Sequence, residues 1–170
     1  MSFIKRVLCF IDKCSDWTGR FLATFVVLIM GIVLYEVFLR YFFNRPTYWV
    51  HETSAFIFGF QFIMGGAYCF LHGSMVNVDV IYGKLSPRNM AILDLMTFPF
   101  LFFTCAAMIW YGSNMAWDSI LVLEHTSTAF SPPLYPLRTA IPLGALLLLL
   151  QGLAKFTRDL YMAFTGKELQ

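Results

Sequence analysis

The sequence predicts an all-α integral membrane protein with four transmembrane helices and both termini on the cytoplasmic side. Three observations carry this. Four long apolar runs, at residues 21–38, 53–71, 93–110 and 140–156, take up most of the 170 residues. Each is about the 17–25 residues a helix needs to cross the hydrocarbon core. Hydrophobic residues make up 59% of the chain and charged ones 13%, with 19 Phe, against about 25% charged in an average soluble domain. The basic residues are uneven. With the N-terminus inside, the inner segments hold Lys5, Arg6, Lys13, Arg20, Lys84, Arg88, Lys155, Arg158 and Lys167; the outer ones hold only Arg40, Arg45 and Arg138. Lys and Arg concentrate on cytoplasmic loops. The whole chain, 1–170, reads as a single membrane domain with spans near 18–39, 52–72, 90–113 and 136–158.

The elements follow in order. Residues 2–18 form an amphipathic segment, with Phe3, Ile4, Val7, Leu8 and Ile11 at helical spacing. It is either an interfacial helix in the headgroup layer or the start of a long first span. That span reads as a retained anchor, since no small-residue cleavage site follows it. A polar elbow over 36–52 comes next. Pro46 suits a turn, Thr47 is placed to cap the second helix, and Tyr48 and Trp49 suit the membrane–water interface. The second span carries Ala55 and Gly59 as a small-x-x-x-small pair, then Gly65 and Gly66, which permit close helix approach. Gln61 sits near its middle and should face another helix, because lipid offers an amide no partner. The inner loop contains Val76, Asn77, Val78 and Asp79 and reads as a surface segment packed on the helices. Pro87 suits the start of the third helix, and Pro99 should bend it or loosen a turn. The longest outer loop is expected over 117–137. The fourth span contains Pro142 and stops at Lys155 and Arg158.

Few residues could carry chemistry. Glu36 and Arg40 can pair at i,i+4. Glu52, at a helix start where a carboxylate is favoured, could also reach Arg40. The cluster is either a clasp between helix ends or a contact with a partner subunit. Asp94 reads as a paired or snorkelling acid before a proton relay. Cys9 and Cys14 read as free thiols, and Cys69 and Cys105 as small packing residues. No Cys/His spacing suits zinc. His51 and His72 lie about 30 Å apart on one helix at 1.5 Å per residue, so they cannot share a haem iron. No cofactor and no enzyme site are expected. A net charge of +2 does not argue for nucleic acid. The environment is the lipid bilayer.

The elbow Leu39-Arg40-Tyr41-Phe42-Phe43-Asn44-Arg45-Pro46-Thr47-Tyr48-Trp49-Val50-His51-Glu52 resembles that of the DctQ-like small permease subunit of tripartite ATP-independent periplasmic (TRAP) transporters. So do Gly65-Gly66-Ala67-Tyr68, Val76-Asn77-Val78-Asp79 and Leu85-Ser86-Pro87-Arg88. The stretch Ser131-Pro132-Pro133-Leu134-Tyr135-Pro136-Leu137-Arg138, with Ile141-Pro142-Leu143-Gly144 and Leu150-Gln151-Gly152-Leu153, is similar to the mannitol/chloroaromatic-type branch. Two places depart from the family pattern: His51 replaces the first acid of a Trp-x-Glu-Glu elbow, and Met75 and Asn77 replace the His and Arg of the inner loop.

The resemblance implies a scaffold subunit in the bacterial inner membrane. Its partners would be a large permease subunit, carrying the substrate and sodium sites, and a periplasmic binding protein that delivers an organic anion, typically a carboxylate. Partner contacts are expected at the elbow (Glu36, Arg40, Arg45, Trp49, Glu52), helix packing at Gly59, Gln61, Gly65 and Gly66, and a structural role in the inner loop at Asp79. The residues leave two other classes: a stand-alone proton-coupled exporter, which needs a Glu well inside a span, and a membrane anchor for a redox enzyme, which needs haem ligands.

Overall fold

The computed structural model describes residues 2–73, 87–128 and 130–165. Asp79 and its neighbours in the inner loop lie outside the described residues. Among the described residues four helices make up the fold: α1 (Ser2–Phe43), α2 (Trp49–Leu71), α3 (Pro87–Leu121) and α4 (Tyr135–Thr165). All four are long and apolar enough to cross a membrane. Among the described residues there is no strand, and a single antiparallel bridge joins His125 and Pro133.

Residues 2–18 are continuous with the first span, so the backbone forms one helix with no separate interfacial piece. At 42 residues and 1.5 Å per residue, α1 is about 63 Å long, roughly twice the hydrocarbon thickness. Its polar first third must therefore project beyond the core. Gly19 does not interrupt it. A Cβ at that position would lie 2.1 Å from the Tyr68 ring, so the missing side chain lets α2 press against α1.

α3 runs on past the expected span end at 113, so Trp117 and Asp118 are helical and the outer loop shrinks to 122–134. Ser113 and Asn114 are weak helix formers, yet neither removes a backbone donor as Pro would. The helix ends where Leu123 turns left-handed at φ 47°. There the Glu124 amide donates to the Ser119 carbonyl (3.0 Å) and the Leu123 amide to Ile120 (3.2 Å). This 6→1 and 5→2 pair is a Schellman termination, with leucine where glycine is usual. Helices α3 and α4 continue through Pro99 and Pro142 respectively.

The helices lie side by side in the order α1, α2, α4, α3. Among the described residues α1 packs along α2, α2 along α4, and α3 extensively on α4; α4 also touches α1. α4 can serve as the hub because its contact positions are small. Ala140, Gly144, Ala145, Gly152 and Ala154 are all buried. A Cβ at Gly144 would sit 2.6 Å from the Ile63 carbonyl oxygen, and one at Gly152 2.7 Å from Leu101. Small residues let membrane helices approach closely where hydrophobic burial supplies little drive. The outcome is an open layer with a thin interior. Its large side chains point away, including Phe62, Phe100, Phe103 and Trp110, each at least 70% exposed.

Candidate functional site

Polar side chains gather at the two ends of the layer. At the elbow end, Glu36 is buried and takes three kinds of partner. Arg40 donates to its Oε1 at 2.7 Å, the Thr47 amide donates to Oε2 at 3.0 Å, and the Thr47 hydroxyl donates to Oε2 as well. The Glu36–Arg40 pair forms as the i,i+4 spacing predicts. Thr47 does not cap α2. The residue before α2 is Tyr48, which makes no side-chain cap bond. Thr47 instead turns back onto Glu36, whose carboxylate is the stronger acceptor. Asn44, left-handed at φ 50°, makes the reversal, a conformation Asn tolerates better than most residues. Tyr35 and Trp49 then meet across the elbow, ring centroids 6.5 Å apart.

Glu52 does not reach toward Arg40. Its Oε2 accepts from the Thr128 hydroxyl at 2.8 Å, tying the outer loop to the start of α2. The loop is tied to α4 as well. Arg138 donates to Glu124 Oε1 at 2.8 Å and meets its second oxygen through the other nitrogen, a bidentate fork. Within the loop, Leu134 donates to the Glu124 carbonyl (2.8 Å) and Thr126 to that of Pro132 (3.1 Å). Arg45 is exposed and has no ion-pair partner among the described residues.

The opposite end holds a network that reasoning from the sequence missed. Gln151, 1% exposed, accepts from Ser15 at 3.1 Å and donates to Asp12 at 2.9 Å. Asp12 also receives Arg158. Two residues of α1 are thus joined to two of α4. Nearby, Asp16 bonds Arg20 at 2.9 Å and lies 3.6 Å from His72, just past the end of α2, while Asp94 of α3 pairs with Lys155 of α4 at 2.7 Å. Asp94 is thus a paired acid. The signal for Gln151 was available, since the physical argument made for Gln61 applies to any amide in an apolar run.

The α2 candidates behave differently from one another. Gly59 faces Leu137 of α4, 3.4 Å from an added Cβ, whereas Gly65 and Gly66 meet nothing within 4 Å among the described residues. They flank an exposed stripe of His51, Ala55, Phe58, Phe62 and Cys69. Cys69 therefore lies on the outside, unlike the buried Cys105; all four cysteines are free. The Oε1 of Gln61 is buried without a hydrogen-bond partner among the described residues. Among those residues no group of His, Cys, Asp and Glu could hold a metal ion.

The family model described as "Tripartite ATP-independent periplasmic transporters, DctQ component" matches residues 29–161. Comparison with curated proteins finds no match.

Proposed function

The chain belongs to the DctQ component family of tripartite ATP-independent periplasmic transporters, and from that premise we propose that it is the fixed membrane scaffold of a sodium-coupled importer. As a member of that family it is a transporter component and not an enzyme. In this reading it lies in the bacterial inner membrane with both termini inside. A large permease subunit beside it carries the substrate and sodium sites, and a periplasmic binding protein delivers an organic anion, a carboxylate. The resemblance at 131–138 and 141–144 supports the mannitol/chloroaromatic-type branch. The domain is the whole chain.

The observation that carries the scaffold reading is the open layer. Its centre is closed by the small residues of α4, and its large apolar side chains face outward. A subunit that lines no pathway but offers broad apolar faces suits the role of a wall beside a moving partner. The α2 stripe around Phe58 and Phe62, with Gly65 and Gly66 open beside it, suits close approach by a helix of the large subunit. Gln61 would then find its hydrogen-bond partner there. The elbow and the loop at 122–134 suit the face met by the binding protein. A stand-alone exporter would need Glu36 free to exchange a proton with a cavity, and that carboxylate is closed by Thr47 and Arg40. Deleting the gene for this chain while retaining its two partners is expected to abolish uptake of the organic anion. Undiminished uptake would overturn the scaffold role.

A further inference from the structure

The base of α1 has two faces. Leu8, Ser15, Gly19 and Leu22 are buried against the other helices. Arg6, Phe10, Lys13, Trp17 and Arg20 all lie on the opposite side, within an arc of about 80° at 3.6 residues per turn, and all are exposed. Cations and aromatic rings alternate along this strip. An open groove of about 510 Å³ runs along it, lined by Phe10, Lys13, Cys14, Asp16, Trp17 and Arg20. Trp17, 70% exposed, stacks parallel on Phe21 with centroids 5.9 Å apart. The strip lies before residue 29, where the family match begins.

We propose that this groove binds the phosphate headgroup of an anionic phospholipid. Lys13 and Arg20 stand two turns apart, about 10 Å along the axis. Arg20 immediately precedes the apolar run that opens at Phe21, so the pair brackets the depth at which lipid phosphates lie. Anionic lipids are drawn to such basic positions beside a span. Trp and Phe supply the amphipathic and apolar surfaces that belong at the same depth. The one carboxylate in the lining, Asp16, is turned to the flank. One of its oxygens holds Arg20 at 2.9 Å and the other faces His72, which steadies Arg20 and leaves its remaining donors to the groove. Lys13 pairs with no carboxylate among the described residues. An acidic protein segment would meet the same cations, but the position at the edge of the apolar run favours a lipid. With the N-terminus on the inner face, as proposed above, the groove meets the anionic cytoplasmic leaflet.

Of the four tryptophans, Trp49, Trp110 and Trp117 can be changed to Phe, leaving Trp17 as the sole reporter in the full-length chain. The chain is placed in phosphatidylcholine nanodiscs doped with phosphatidylglycerol or phosphatidylcholine carrying brominated acyl chains. Brominated phosphatidylglycerol is expected to quench Trp17 more strongly at equal mole fraction. The preference should fall roughly fivefold for each cation removed by Lys13→Gln or Arg20→Gln, and Lys13→Arg should keep it. Both cations are exposed, so circular dichroism should show the variants folded. Equal quenching by the two lipids would overturn the proposal, leaving only an apolar surface. Relief of quenching by excess inorganic phosphate would overturn it in favour of a free-anion site. In the assembled transporter, native mass spectrometry should show one retained phosphatidylglycerol fewer in the Lys13→Gln/Arg20→Gln variant. An unchanged count would overturn the proposal for the assembled transporter.

Discussion

The two ends of the layer are held by different kinds of contact. At the elbow end, Glu36 reaches Arg40 four residues on and Thr47 eleven on, and Arg138 reaches back fourteen to Glu124. At the opposite end, Ser15 and Asp12 of α1 meet Gln151 and Arg158 of α4, 136 to 146 residues away. The elbow end shapes a local reversal and presents a formed surface. The other end fixes how the first and last helices sit against each other. A layer with so little buried apolar volume depends on such polar fastenings and on glycine contacts more than a soluble bundle does.

This contrast can be broken or sharpened experimentally. The largest effect is expected from Gly144→Val, which puts a side chain into the Ile63 backbone and should cost about 3 kcal/mol or more. Unfolding in detergent, followed by tryptophan fluorescence, would read it; a wild-type midpoint would mean that α2 and α4 do not approach as described. Gln151→Ala comes next. It leaves Ser15 and Asp12 short of a partner and opens a void, a loss of about 2–3 kcal/mol. Its effect should be additive with that of Glu36→Ala, because Ser15 and Glu36 are 21 residues and hence about 30 Å apart along α1. Strong coupling between them would erase the distinction between the ends.

Smaller and more local changes are expected at the elbow. Glu36→Ala should lower the midpoint, though less than Gln151→Ala, since a buried carboxylate that holds Arg40 and Thr47 is removed. It should also speed hydrogen exchange at the Thr47 amide several-fold, since that amide loses its acceptor. Unchanged exchange would show that the reversal holds without the carboxylate. The least effect belongs to Glu52→Gln, at an exposed contact with Thr128, with a loss of no more than about 0.5 kcal/mol. A larger loss would make that contact a fastening of the outer loop comparable to the Glu124–Arg138 fork.

Particular residues show where reading the sequence succeeds. Glu36 and Arg40 could be paired on paper because a helix sets their separation. Pro87 could be placed at a helix start because its ring fixes φ and it lacks an amide hydrogen. Thr47 was misassigned because a cap and a contact with Glu36 compete for the same hydroxyl, and only the fold of the elbow brings the carboxylate within reach. Gly19, Gly144 and Gly152 receive neighbouring helices, whereas Gly65 and Gly66 stand open among the described residues. Nothing in a span's sequence says which of its faces a neighbour will take.

The sequence alone determined that four helices cross a membrane, where the polar ends lie, and which family pattern they follow. These properties depend on hydropathy and spacing over neighbouring residues, which the chain carries wherever it goes. Only the tertiary structure decided that α4 is the hub, that Gln151 fastens α1 to it, and that α1 turns a cation-and-aromatic strip outward. Those depend on how each helix is rotated about its axis, and in an open layer of apolar helices that rotation is set by a few small residues and buried polar groups.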